Sequence, residues 1–150
     1  MADAPLLIAE DDDDDFRVIS EALKQARCYV HVRRVKDGEE LMDYLLRRGG
    51  FASEDPPAPA LILLDLNMPR KDGREALREI KASRELSGIP VVALTVSREQ
   101  EDIVSSYGLG LNAFVRKPSG LAQFIDVVKL LKKFWLDAVS LPEGERPSPQ

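Results

Sequence analysis

Cysteine occurs once in the 150 residues, at Cys28. A lone thiol cannot close an internal disulfide, so the fold must be held by its own core, and a reducing compartment is expected. No apolar run approaches the ~18 residues of a membrane span, and no basic segment followed by an apolar one opens the chain. These absences predict a cytoplasmic protein with no membrane partner. A basic excess is missing too: 21 Lys and Arg stand against 26 Asp and Glu, a net charge of −5. Without that excess there is no electrostatic term to gather phosphates, so no nucleic-acid partner is expected. Histidine is equally scarce. His31, the only one, lies within a strand-like apolar run and reads as a structural residue, not a phosphocarrier.

What is present is the balance of a globular chain, with 44% apolar and 31% charged residues. The length suits one domain, expected over residues 1–139, in which folding buries roughly two thirds of the surface. The remainder, SLPEGERPSPQ at 140–150, reads as a flexible tail. There is no internal repeat. The one biased stretch is acidic, Glu10 to Asp15 without interruption. Six adjacent like charges repel, and their clustering calls for a cation, a helix terminus or disorder.

Short apolar runs alternate with helical patterns. Leu6–Ala9, Tyr29–Val35, Ala60–Leu64, Ile89–Leu94 and Ala113–Val115 read as strands by length and β-branched content. Helical spacing links Phe16, Ile19, Leu23 and Ala26; then Leu41, Tyr44 and Leu45; then Leu77 and Ile80; then Ile103, Val104 and Tyr107. A last stripe runs from Leu121 through Phe124, Ile125, Val128 and Leu131 to Trp135. Five strands each followed by a helix predict an α/β fold: a doubly wound, five-stranded parallel sheet flanked by five helices. GGFASEDPPAP at 49–59 is too rich in Gly and Pro for regular structure and reads as a long surface loop.

In such a sheet ligands gather beyond the carboxyl ends of the strands. The first strand ends in Glu10, Asp11 and Asp12, the third in Asp65 and the fourth in Thr95; the fifth ends just before Lys117. Carboxylates pushed together need a hard cation, and Mg²⁺ is held by a few carboxylates while keeping positions for water and phosphate. An aspartate there can act as a nucleophile toward phosphorus. The charge of the transferring group is spread over oxygens that Mg²⁺ and a lysine can neutralise, each at roughly 3 kcal/mol on the scale of an oxyanion donor.

The runs LLIAEDD, ILLDLNMPRKDG, VVALTVS and FVRKPSG, in this order, resemble the signature blocks of two-component response-regulator receiver domains over about residues 5–136. The resemblance implies the flavodoxin-like receiver fold, Asp65 as phosphoacceptor and a histidine kinase as donor. It implies Mg²⁺ held by Asp11, Asp65 and the Asn67 backbone carbonyl, with Glu10 acting through a bound water. It makes Thr95 the hydroxyl that swings to the phosphoryl group, Lys117 its paired cation and Phe114 the aromatic switch residue. It also implies a cis Lys117–Pro118 bond. Val96 departs from the small residue usual after the switch threonine. The Pro-rich loop, the run NMPRKDGREAL and the aromatic-rich last helix are similar to the small response regulators that partner bacterial phytochromes. A bacteriophytochrome kinase is therefore the implied partner. The chain ends soon after the last helix, so a stand-alone regulator of a phosphorelay is expected, signalling through the face of the fourth helix, fifth strand and fifth helix. That last helix carries Val127, Leu130 and Phe134 beyond its inward stripe, and with Trp135 these predict a homodimer interface.

Other features have plainer readings. Asp13, Asp14 and Asp15 read as helix N-terminal residues. The RRVK run at 33–36 and Lys129, Lys132 and Lys133 read as solvated faces, and Cys28 as a packed thiol. Two rival functions stay open. A receiver-shaped scaffold would have no need of Asp65, Thr95 and Lys117 together. An aspartyl-nucleophile phosphatase wants a second carboxylate two positions on, where this chain has Asn67, and a cap that it lacks. The chain is read as no enzyme beyond its own phosphoryl acceptance and slow dephosphorylation.

Overall fold

The computed structural model describes residues 4–99, 101–102 and 113–139. They fall into two compact units: the residues up to Phe16 with Val30–Lys117, and Arg17–Tyr29 with the residues from Pro118 onward. The strands are β1 Leu6–Ala9, β2 Val32–Val35, β3 Leu61–Asp65, β4 Val91–Thr95 and β5 Ala113–Arg116. They form one parallel sheet in the order β2-β1-β3-β4-β5. The helices are α1 Asp13–Gln25, α2 Gly38–Leu46, α3 Gly73–Ala82 and α4 Leu121–Val139, with a 3₁₀ turn at Gly49–Phe51. The helix expected around Ile103, Val104 and Tyr107, and the tail at 140–150, lie outside the described residues, as do the side chains of Phe114, Phe134 and Trp135. Among the described residues no helix is long and apolar enough to cross a membrane.

Strands β2 and β4 start more than one residue later than their apolar runs, and proline explains both. The parallel register begins at Leu6 opposite Val32. Leu6 is preceded by Pro5, which has no N–H to offer, so residues 29–31 stay outside the ladder. His31 is therefore exposed and just ahead of β2, not in mid-strand, although its carbonyl accepts the Leu6 N–H at 2.8 Å. Pro90 likewise delays β4 to Val91.

Alternate strand residues divide between the two faces of the sheet. Leu7, Ala9, Ile62, Leu64, Val91 and Ala93 form one core with Leu41, Met42, Tyr44 and Leu45 of α2 and Ala76, Leu77 and Ile80 of α3. Leu6, Ile8, Leu61, Leu63 and Leu94, on the opposite face, are buried as well. Burial on both faces is why these strands read as continuous apolar runs. Each large side chain so buried contributes about 1.5–3 kcal/mol.

The Pro-rich stretch is not a free loop. Tyr44 Oη donates to the Pro57 carbonyl at 2.9 Å and Arg47 Nε to that of Pro56 at 3.1 Å. Phe51 packs edge-on to Tyr44, with ring centroids 5.2 Å apart. In the second unit, Phe124, Val128 and Leu131 are buried along α4 while Leu130 is 68% exposed. Lys132 is not a solvated residue: its ammonium donates to the carbonyls of Ala26 at 3.3 Å and Arg27 at 3.1 Å, closing the end of α1. Burial pushes the Cys28 thiol pKa up, with the Lys132 charge opposing, which suits a packed, unreactive thiol.

Candidate functional site

The chain leaves β1 toward β2 on one side and returns to β3 on the other, so the strand order reverses at β1. In open parallel sheets this reversal leaves a crevice at the carboxyl ends of the strands. Glu10 follows β1, Asp65 closes β3, Thr95 closes β4 and Lys117 follows β5. Glu10, Asp65 and Thr95 are the buried polar side chains among the described residues, at 0%, 1% and 0% exposure. Polar groups withdrawn from water in this way must be paired.

Lys117 supplies much of that pairing. Its ammonium lies 2.8 Å from Asp65 Oδ2, 3.1 Å from Glu10 Oε1 and 2.9 Å from Asp15 Oδ2. Burial alone would depress its pKa; hydrogen bonds to Asp65 and Asp15 and the charges of Asp65 and Glu10 outweigh that and raise it above the ordinary value. The Glu10 carboxyl is displaced in turn. Burial, and then the Asp65 charge, push it up from 4.5 to about 7, with Lys117 opposing. Asp65 Oδ1 accepts the Asn67 N–H at 2.9 Å, so both oxygens of this carboxylate are engaged.

Glu10, Asp11 and Asp65 each place a carboxylate oxygen within 4.8 Å of the others. Glu10 Oε1 is buried and receives no hydrogen bond, only the nearby Lys117 charge. Three convergent hard oxygen donors with spare lone pairs fit a divalent cation of the Mg²⁺ or Mn²⁺ type.

Local structure fixes these groups in place. Asp12, whose side chain accepts the Asp15 N–H at 2.9 Å, caps α1 directly after Asp11. Asp72 caps α3 through the Arg74 and Glu75 N–H groups, which keeps the Asn67–Asp72 loop short. That loop is also tied to the start of α2. The Gly38 N–H donates to the Lys71 carbonyl at 2.8 Å, and Arg70 meets Glu39 at 2.7 Å and Asp37 at 3.8 Å. A β-carbon at Gly38 would stand 2.0 Å from the Lys71 oxygen, so the contact requires glycine there.

The basic run at 33–36 is not a solvated face. Arg34 Nε donates to the Glu10 carbonyl at 3.0 Å, its NH2 meets Asp13 at 2.9 Å, and its guanidinium lies 4.5 Å from the Phe16 ring centre. Lys36 reaches Asp13 at 3.6 Å, and Arg33 pairs with Glu54 at 2.5 Å while lying over the Tyr44 ring. The register Ile8–Arg34 and Ala9–Val35 places this run beside the acidic one, where opposite charge is needed. Asp13 thus counters Arg34, and Asp15 joins Lys117; neither is only a helix-end residue. The Thr95 hydroxyl donates to Glu101 at 2.9 Å, and Glu101 also accepts from Arg116 at 3.3 Å. Of these missed residues, only Arg34 left a signal, as part of a basic run on the strand that follows the acidic one. The Lys117–Pro118 bond is trans, like every peptide bond among the described residues. This corrects the cis expectation and follows the intrinsic preference of X–Pro bonds for trans.

Residues 6–129 match the response regulator receiver domain. Response regulator Rcp1 of Synechocystis sp. is 40% identical over 137 residues, covering 91% of this chain and 92% of its own. The crystal structure of the phosphorylated cyanobacterial phytochrome response regulator RcpA is 42% identical, with a TM-score of 0.80 over 95% of this chain and 100% of that one. The Mn²⁺-bound crystal structure of Rcp1 is 40% identical, with a TM-score of 0.78 over 93% and 99%. The five-stranded parallel sheet is the flavodoxin-like fold of these regulators. By motif, fold and sequence likeness alike, the chain belongs to the response regulator receiver domain family.

Proposed function

We propose that this receiver accepts a phosphoryl group on Asp65 from a histidine kinase with Mg²⁺ present, and passes on the change as an altered protein contact. The observation that carries the reading is the Lys117 ammonium seated between Asp65 and Glu10, with Asp11 beside them. An Asp65 oxygen forms the bond to phosphorus while the phosphohistidine N–P bond breaks and the imidazole keeps its electron pair. Lys117 faces the growing negative charge and can hold a phosphoryl oxygen. Asp11, Asp65 and the Asn67 carbonyl would hold the cation, with Glu10 acting through a water. Bound there, the ion would supply positive charge against carboxylates and phosphoryl oxygens alike. Thr95 then turns its hydroxyl to the phosphoryl group, together with Phe114.

The likeness to Rcp1 and to the phosphorylated RcpA supports a phytochrome histidine kinase as the donor. No turnover of external substrates is assigned: the chain acts as acceptor and catalyses only its own phosphoryl acceptance and slow release. A cytoplasmic location and the absence of a nucleic-acid partner follow from composition and charge. A homodimer through Val127, Leu130, Phe134 and Trp135 is supported by the exposure of Leu130. The test is a phosphotransfer profile against the histidine kinases of the same source, with light and dark compared for any phytochrome. One kinase should label the protein far faster than the others. Labelling by none of them, or equal labelling of Asp65→Asn, would refute the reading.

A further inference from the structure

Thr95 is fully buried, yet its hydroxyl is already committed. It donates at 2.9 Å to Glu101 Oε2, and the same oxygen accepts Arg116 Nε at 3.3 Å. A threonine hydroxyl carries a single proton. That proton can be given to Glu101 or to a phosphoryl oxygen on Asp65, but not to both. If Thr95 turned to a phosphoryl group, its oxygen would also present lone pairs where Glu101 now receives a proton. The two acceptors therefore compete for one donor. Arg116 makes the exchange reversible, because it stays paired with Glu101 when Thr95 leaves, so no bare carboxylate is stranded. Its own side chain is 56% exposed and that of Glu101 24%, so this pair stands at the rim while Thr95 lies inside.

We propose that Glu101 is a positioning residue that holds the Thr95 hydroxyl away from the phosphorylation site and so sets the threshold for activation. The proposal rests on Asp65 being the phosphoacceptor. Glu101 touches no reacting atom; it acts through Thr95. Its removal should favour the phosphorylated conformation, whereas loss of a merely structural contact would weaken it or leave it unchanged.

The test is calorimetric titration of the full chain with beryllium trifluoride, an acyl-phosphate mimic, in excess Mg²⁺. Glu101→Ala should bind it roughly five- to tenfold more tightly than wild type, the effect of losing one partly exposed charge-assisted hydrogen bond. Glu101→Gln keeps the shape and a neutral acceptor, and should fall between the two. In a Thr95→Ala background, Glu101→Ala should add nothing, since no proton remains to contest. Unchanged or weaker binding in Glu101→Ala and Glu101→Gln, or a gain that persists without the Thr95 hydroxyl, overturns the latch. Tight binding by Asp65→Asn, or none by wild type, removes the phosphoacceptor reading and the latch with it.

Discussion

Gly73 brings its bare α-carbon so close to Asp65 that a β-carbon there would stand 2.5 Å from the Asp65 carbonyl oxygen and 2.6 Å from Leu66 Cα. The Gly73 N–H also donates to the Leu66 carbonyl at 3.1 Å. The first turn of α3 is therefore seated directly on the end of β3, and the carboxylate that closes this strand inherits the rigidity of that contact. Gly73→Ala should destabilise the fold by about 1–3 kcal/mol, the usual range for overpacking. Gly50→Ala, where nothing lies within 4 Å, is the control and should stay within about 0.5 kcal/mol of wild type. Urea unfolding of the two variants measures the difference; equal losses would contradict the close approach.

Arg34 anchors the acidic loop by its backbone, through the Glu10 carbonyl, and by its charge, through Asp13. Groups that orient ligands from behind commonly account for 10–100-fold in metal affinity. Arg34→Met should weaken Mg²⁺ or Mn²⁺ binding by about tenfold, at the low end of that range, in a calorimetric titration. Arg33→Met, which loses Glu54 and Tyr44 instead, should leave affinity unchanged. The same affinity in both variants would show that Arg34 does not organise the loop.

The raised Glu10 carboxyl has a definite sign in stability. Its pKa moves from 4.5 to about 7 in the fold, so the folded chain holds this proton more tightly than the unfolded one. Between those values the unfolded chain carries fewer protons, and stability falls as pH rises, the loss being complete above about 7. Measured in chelator at pH 5 and pH 8, the Tm of wild type should drop relative to that of Glu10→Gln. Excess Mg²⁺ should flatten the difference, because a cation held beside Glu10 favours its charged form over its protonated one. Parallel pH profiles for the two proteins in chelator would contradict the assignment.

Leu130 is 68% exposed on α4, in a turn where Val128 and Leu131 are buried. If it lies in a homodimer interface, Leu130→Glu should abolish the dimer, since an unpaired charge would then be desolvated there. Sedimentation velocity of the two proteins reads this out. A sedimentation coefficient unchanged from a dimeric wild type, or a monomeric wild type, disposes of the interface.

Much of the site was legible in the sequence because catalysis at a sheet edge places its residues at strand ends, and strand ends are marked by the close of an apolar run. Glu10, Asp65, Thr95 and Lys117 all stand at such ends; Lys117 meets Glu10 and Asp65, while the Thr95 hydroxyl is bonded to Glu101 instead. What stayed hidden depends on register and side-chain direction. Arg34 faces the acidic loop only because residue 34 pairs with residue 8. Glu101 lies six positions beyond Thr95 and reaches back through the start of a helical turn, which periodicity alone does not reveal. Lys132 looked solvated because its partners are the backbone carbonyls of Ala26 and Arg27, remote in sequence. The Pro-rich loop looked free because its anchors are Tyr44 in the preceding helix and Arg47 at that helix's C-terminal cap.

Asp65 is the residue proposed to take up the phosphoryl group. Intact-mass and peptide-mapping spectrometry after incubation with acetyl phosphate and Mg²⁺ tests this most directly. A single added phosphoryl group is expected, located on Asp65, which fails to form when chelator replaces Mg²⁺ and in Asp65→Asn. A phosphoryl group mapped to another residue, or retained by Asp65→Asn, would contradict it.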